Sequence, residues 1–285
     1  MNQNNYGKRL IAVHDLSSQG RVALMVVIPI LSVMGIQVNP LPTALLSAST
    51  NYKRFRMTDL TGEMTGIIEH WKEENQLFDA IYTGFLGSEK QIEIVIDLIN
   101  NFKNHHNLII IDPVLGDKGR LYSTMNDKNV IGMRELLKFA NVITPNLTEV
   151  CLLLQENYHN YFPLDTIKQF AIRLSDIGPS TVVITGVNDK ERNDMTSVVG
   201  YTRADGSFFH ITCEYIPSEY PGTGDIFTSV FTGCLLQGCD MHFALQQAVD
   251  FTLLAIKETY ALGSSPHEGA IFEKVLYTLA AGKAI

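Results

Sequence analysis

Four residues carry the strongest chemical signal in this chain: Gly222-Thr223-Gly224-Asp225, directly ahead of a helical run from Ile226 to Gln237. Two glycines before a helix let the backbone turn tightly and aim its free amides at a ligand. Those amides and the helix dipole together favour a multiply charged phosphate. An aspartate held at that point is expected to stay ionised and to take a proton from an alcohol attacking the phosphate. The same residues would also make a plain turn with a capping aspartate. The run is not the Walker phosphate loop, because no lysine follows the second glycine, and it is not the dinucleotide fingerprint.

Further acids stand at turns after apolar runs. Asp112 and Asp117 bracket Pro113-Val114-Leu115-Gly116, a spacing able to hold a hydrated Mg²⁺ against phosphate oxygens. For Asp117 taken alone, capping a turn is the simpler role. Glu149 follows Thr144-Pro145-Asn146, where a helix cap competes with a contact to a metal-bound water.

The elements that must position these groups alternate along the chain. Leu10–Val13, Ala80–Ile81, Leu108–Ile111, Val142–Ile143 and Val182–Ile184 are short, apolar and rich in Ile and Val, as strands buried on both faces should be. Asp59–Asn75 places Leu60, Met64, Ile67, Ile68 and Trp71 on one helical face, and Ser88–Phe102 does so with Ile92, Val95, Ile96 and Ile99. Such alternation implies an α/β fold with parallel strands and crossover helices. Thr196–Arg203 and Ser207–Thr212 flank Ala204-Asp205-Gly206, a hairpin signal. Helices are predicted at Gly224–Gln237, His242–Thr259 and His267–Ala280. Val22–Ile36 is too short to span a bilayer and is broken by Pro29, so it is predicted as a buried first helix. Leu41–Thr58, with Pro42, Ser47, Ser49, Thr50, Asn51 and the cations Lys53, Arg54 and Arg56, fits neither template. It is either a mobile flap over a site or a surface loop.

In an open parallel sheet, ligands bind beyond the carboxyl ends of the strands. The residues there are His14-Asp15, Tyr82-Thr83-Gly84, Asp112-Pro113, Thr144-Pro145-Asn146 and Thr185-Gly186. Five polar strand ends on one edge describe a site, although any one alone would mean little.

Composition narrows the function classes. The 285 residues are 46% hydrophobic and 18% charged, as in ordinary globular proteins. With no repeat, low-complexity tract or linker, residues 1–285 are expected to form one domain. A net charge of −8 argues against nucleic acid or an anionic membrane as partner. Cys151, Cys213, Cys234 and Cys239 show no paired spacing and read as reduced thiols of a cytoplasmic protein. His105 and His106 are adjacent, with no partner at helical ligand spacing for zinc.

Gly222-Thr223-Gly224-Asp225, Asp112 through Asp117, and Thr144-Pro145-Asn146 with Glu149 resemble the signature set of pyridoxal kinases in the ribokinase superfamily. The resemblance runs in order from about Arg9 to Ala261. His14-Asp15-Leu16-Ser17 and Tyr82 to Ser88 are most similar to the pyridoxamine/pyridoxal kinases of Gram-positive bacteria. The resemblance implies a ribokinase-like three-layer sandwich: a central, mostly parallel β-sheet flanked by helices, with a small flap over the active site. It also implies a homodimer using MgATP, with a monovalent cation (K⁺ or Na⁺) near the anion hole. Carried over position by position, Asp225 would be the catalytic base and the amides of Gly222, Thr223 and Gly224 the anion hole. Asp112, Asp117 and Glu149 would serve magnesium and the triphosphate, partly through water. Thr144, Asn146 and Thr185 would line the nucleotide site, and Asp15, Ser49, Thr50 and Phe85 would face a pyridine ring. Many relatives carry serine in place of Asp15 and tyrosine in place of Phe85, which bears on the substrate. No cysteine lies beside Asp225 or in Gly116–Tyr122, so covalent capture of an aldehyde is not expected.

The implied activity is phosphorylation of the hydroxymethyl group of pyridoxal, pyridoxamine or pyridoxine. A hydroxymethylpyrimidine kinase of thiamin synthesis is the enzyme alternative. A catalytically silent nucleotide-binding regulator is the alternative of another class, against which Asp225 and its glycines argue.

Overall fold

The computed structural model describes residues 7–104, 107–188, 192 and 194–280. His105 and His106 lie outside the described residues. In chain order the elements are β1 (Arg9–Ser17), α1 (Leu24–Val33), β2 (Gln37–Leu46), β3 (Met57–Asp59), α2 (Thr61–Glu73), β4 (Ala80–Thr83), α3 (Glu89–Phe102) and β5 (Leu108–Ile111). Next come β6 (Gly116–Asp117), β7 (Arg120–Leu121), α4 (Asp127–Leu137), β8 (Val142–Ile143), α5 (Leu147–Leu154), α6 (Leu164–Ile177) and β9 (Thr181–Asn188). The last are β10 (Met195–Thr202), β11 (Ser207–Glu214), α7 (Thr223–Leu236), α8 (Met241–Ala261) and the single turn α9 (Tyr277–Ala280).

Nine strands are hydrogen-bonded in the order β11-β10-β9-β8-β5-β4-β1-β2-β3, flanked by helices, while β6 and β7 make a separate ribbon. β1 pairs with β2, β5 with β8, and β8 with β9 in parallel. β3, β10 and β11 pair antiparallel. This is the α/β architecture that the strand–helix alternation predicts. The chain divides into two compact units, one running through Tyr82 and resuming at Ile216, the other comprising Thr83–Lys103 and Leu108–Tyr215. The first is discontinuous in sequence, so no linker composition could mark a boundary.

In the first unit β1 is buried along almost its whole length, from Leu10 to Asp15. Helix α1 buries Leu24, Val26, Val27, Ile30 and Leu31, as predicted for an apolar first helix. Pro29 sits inside it and cannot bond the carbonyl of Met25, whose side chain lies on the exposed face. Helix α7 comes so close to the end of α1 that a Cβ on Gly233 would lie 2.4 Å from Met34 Sδ.

Two expectations are corrected here. The first third of Leu41–Thr58 is strand: β2 runs to Leu46, with Pro40 opposite Ala12 and Pro42 opposite His14. Prolines two residues apart turn their nitrogens to the same side, away from β1, so the ladder loses no donor. β3 pairs only with Ala44 to Leu46, beyond both prolines. The predicted helix His267–Ala280 is also absent as such: a 3₁₀ turn covers Pro266–Glu268 and only α9 is helical. Gly269 has φ 79°, which ends the turn, and a Cβ there would lie 2.8 Å from the Pro221 carbonyl oxygen. The segment is held by packing, with Ala270, Phe272 and Val275 buried and the Ile271 amide donating to Thr259 Oγ1 at 2.7 Å.

In the second unit helix starts follow capping chemistry. Ser88 accepts from the Gln91 amide at the head of α3, and Asn126 and Asn146 form capping boxes with Asn129 and Glu149 at α4 and α5. β10 and β11 make the predicted hairpin, turning through Gly206 at φ 71°.

Candidate active site

The first unit carries the predicted base. Gly222 is the N-cap of α7 with φ 83°, and a Cβ there would sit 1.9 Å from the Arg21 carbonyl oxygen. Only glycine satisfies both the left-handed conformation and that approach. No side chain among the described residues caps α7, so the first-turn amides at Thr223 and Gly224 are left to a ligand or water. Asp225 stands in that first turn but does not cap it. Its Oδ2 accepts instead from the amide of Ala23, at 2.9 Å. The plain helix-cap alternative for Asp225 therefore does not describe the geometry.

The expectation that the helix terminus keeps Asp225 ionised fails. Burial pushes its carboxyl up to about 7, the Ala23 amide pulls down less strongly, and the charge of Asp15 adds to the rise. Enclosure outweighs the hydrogen bond because the charged form loses more hydration than one amide returns. Asp225 is thus poised to release or take a proton near neutrality, where a general base works best.

Asp15 lies at the end of β1 and accepts from Ser17 Oγ at 3.0 Å. Burial raises its own pKa, against the Ser17 hydrogen bond. Ser49 is buried, and its Oγ, like the Tyr52 hydroxyl, finds no hydrogen-bond partner among the described residues. Both approach Gly20, whose added Cβ would lie 3.1 Å from Ser49 Oγ and 3.8 Å from Tyr52 Cε2. Unpaired buried hydroxyls are costly and call for a ligand or an ordered water. Thr50 lies exposed in the same loop. Beyond it, Ser47 and Arg56 close the loop base through two hydrogen bonds of 2.8 and 2.9 Å.

The second unit carries the acids. Asp112 and Glu149 are buried, and Asp117 is exposed on β6. Glu149 is pushed well above the ordinary carboxylate range by burial, then by Asp112, with Asp117 a smaller cause. Both its oxygens accept backbone amides: Oε1 from Leu115 at 3.1 Å and Oε2 from Asn146 at 2.9 Å. The capping role weighed for Glu149 is therefore real, and it ties α5 to the loop after β5. Asn146 Nδ2 donates to the Gly116 carbonyl, and the Gly119 amide donates to Thr148 Oγ1. Thr144 is buried after β8, and Thr185 bridges Asn146, its amide donating to the Pro145 carbonyl. Phe85 follows β4 half-buried, its ring edge against Gly87. Among the described residues no three His, Cys, Asp or Glu side chains are grouped to ligate a metal directly. The oxygen-only character of Asp112, Asp117 and Glu149, and the negative charge they crowd together, fit a hydrated Mg²⁺.

Sequence reasoning missed Ala23 and Arg21. Ala23 has φ 50° and ψ −133°, rare for a residue with a Cβ. Arg21 donates through Nε to both Glu273 oxygens at 2.8 and 2.9 Å, while its amide bonds the Glu268 carbonyl. No local signal marks either residue. Ser17 was legible, since it stands two residues after Asp15 on one strand.

The family described as phosphomethylpyrimidine kinase matches residues 64–269. The chain is 33% identical over 189 residues to the hydroxymethylpyrimidine/phosphomethylpyrimidine kinase of Bacillus subtilis strain 168, covering 65% of this chain and 66% of that protein. The chain thus spans just under two thirds of that relative's length. It is 48% identical to a Bacteroides thetaiotaomicron protein named for phosphomethylpyrimidine kinase and crystallised with pyridoxal, with a TM-score of 0.94 over 98% of each chain. It is 28% identical to pyridoxal kinase from Lactobacillus plantarum, with a TM-score of 0.88 over 96% of this chain and 97% of that one.

Proposed function

Because the chain belongs to the phosphomethylpyrimidine kinase family, we propose that it transfers the γ-phosphoryl group of ATP to the hydroxymethyl group of a vitamin B6 compound. The observation that carries this reading is Asp225 at the uncapped start of α7, its carboxyl enclosed and tuned to about 7. Asp225 takes the alcohol proton as the oxygen attacks, and the amides of Gly222, Thr223 and Gly224 receive the negative charge of the transferring group. Thr144, Asn146 and Thr185 hold the nucleotide. Asp112, Asp117 and Glu149 would hold Mg²⁺ through water, which supplies charge neutralisation on the phosphate oxygens. A single domain of residues 1–285, a homodimer and a cytoplasmic location belong to the same reading; among the described residues no helix is long and apolar enough to cross a membrane.

Asp15 supports a pyridine substrate. A carboxylate beside the ring favours a nitrogen that carries a proton, by a charge-assisted hydrogen bond. Ser49, Thr50 and Phe85 complete the ring contacts in this reading, and the unpaired Ser49 hydroxyl is available to a ring substituent. The pyridoxal bound to the Bacteroides relative points the same way. Hydroxymethylpyrimidine remains the second reading, because the Bacillus relative is named for it.

Turnover of pyridoxal, pyridoxine, pyridoxamine and hydroxymethylpyrimidine should be compared at equal ATP. Greater kcat/KM on any B6 compound than on the pyrimidine is the expected result, with Asp15→Ser flattening the pH dependence of that preference. A preference for the pyrimidine would replace the substrate. No phosphoryl transfer above background on any of the four would leave a nucleotide-binding regulator.

A further inference from the structure

Helix α7 ends in a specific backbone motif that places two cysteines together. Gly238 follows the C-cap residue Gln237 with φ 81°, its amide bonding the Leu235 carbonyl at 3.0 Å. The amide of Cys239 then reaches back to the carbonyl of Cys234, also at 3.0 Å. These two bonds define a Schellman cap, in which the residue after the glycine packs its side chain on the third residue from the helix end. In most proteins that contact is between apolar side chains. Here both partners are thiols, five residues apart, and neither is in a disulfide.

The two sulfurs are in unequal surroundings. Cys234 is buried on α7, whereas Cys239 is half-buried just past the helix. Burial pushes the Cys234 thiol up to about 12, and the neighbouring Cys239 sulfur adds to the rise through its charge and a side-chain hydrogen bond. Cys234 is therefore the buried, protonated thiol of the pair and Cys239 the sulfur nearer solvent. A solvent-facing thiol with a second thiol in contact is the arrangement of a redox-responsive pair.

We propose that Cys234 and Cys239 form an oxidative modification site in which a hydroperoxide converts the pair into a disulfide. In the first step the Cys239 sulfur attacks the peroxide oxygen. The O–O bond breaks, the leaving oxygen departs as water or alcohol, and Cys239 becomes a sulfenic acid. In the second step the Cys234 sulfur attacks that sulfur, the S–O bond breaks, and the hydroxyl leaves as water with the Cys234 proton. Two thiols lose two hydrogens and one peroxide is reduced. The cap's two backbone bonds place Cys239 over Cys234, the position from which the side chains of this motif meet. A dithiol reverses it by exchange.

The test uses the full chain treated with graded hydrogen peroxide, blocked with iodoacetamide and cut with chymotrypsin. Cleavage at Leu235 or Leu236 separates the two cysteines, so their peptides stay joined only through a disulfide. The expected result is a joined pair lighter by two hydrogens, released by dithiothreitol, at peroxide levels that leave buried Cys151 unmodified. Cys213 on β11, half-buried, reports that oxidant reached the protein. In Cys234→Ser, Cys239 should stop at the sulfenic acid and be trapped by dimedone. Oxidation of Cys213 with no joined peptide, or Cys239 going directly to sulfinic acid in the unaltered protein, would overturn the proposal. Because the unaltered chain decides both outcomes, a poorly folding variant leaves the test intact.

Discussion

Replacing Asp225 by asparagine should make the ligand-free protein more stable at neutral and alkaline pH while removing its activity. The reason lies in how the fold moves the Asp225 titration. The folded protein keeps the Asp225 proton up to about 7, whereas the unfolded chain releases it near 3.8. Between those values the folded state binds more protons, so stability falls as pH rises and levels off above about 7. Each pH unit separating the two titrations corresponds to about 1.4 kcal/mol. The full interval sets a ceiling of about 4 kcal/mol, and water reaching a half-buried residue brings a realistic figure to about 2–4 kcal/mol. Asparagine has the shape of the neutral acid at every pH and can still accept from the Ala23 amide. The two proteins should therefore melt alike near pH 4 and diverge as pH rises. For a chain of this length, unfolding entropy of about 0.6 kcal/mol/K turns that gap into roughly 3–7 °C at pH 8. Turnover should fall by about 10²–10⁴-fold, the usual loss of a general base. Melting curves from pH 4 to 8, with turnover at saturating substrates, make the comparison. A stability difference that does not change with pH would refute the enclosed, proton-holding Asp225. Near-normal turnover in the variant would refute its role as base.

Other outcomes follow from the same geometry. Gly222→Ala should destabilise the protein or disorder the start of α7, since its Cβ would fall 1.9 Å from the Arg21 carbonyl oxygen; an unchanged melting temperature with normal ATP turnover would show that the turn yields freely. Asp112→Ala and Glu149→Ala should raise the Mg²⁺ concentration needed for half-maximal turnover. Glu149→Ala should in addition lose about 1–2 kcal/mol in urea melts, from the two amides it leaves unpaired; an unaltered magnesium curve in both would reduce the acids to caps. Hydrogen exchange over Ser47–Thr58 should slow when ATP and substrate are both bound, as the loop closes and excludes water, and identical exchange with and without ligands would make it an ordinary surface loop.

Elements whose periodicity is local were legible from the residues alone. Short Ile/Val runs gave the buried strands, and 3.6-residue patterns gave α2 and α3. Ser88 stood at the start of the predicted run that became α3, and the structure shows it capping that helix. Gly222 and Gly224 ahead of an apolar run announced an exposed helix terminus because glycine's freedom is a property of one residue. Electrostatics that depends on enclosure had to wait for the folded chain. Nothing near Asp225 in sequence says that Ala23, 202 residues earlier, gives it an amide or that Asp15 adds its charge. Local reading therefore suggested an ionised aspartate, and burial made it one that titrates near neutrality. β2 was hidden for a similar reason: Leu41–Thr58, with Pro42, fits neither template until β1 is seen to lie on the side the proline nitrogens avoid. The segment after Pro266 had the composition of a helix but gains more by burying Ala270, Phe272 and Val275 than by helical bonds. In each case the deciding partner is distant along the chain, and local propensity, worth a few tenths of a kcal/mol per residue, gives way to packing and desolvation.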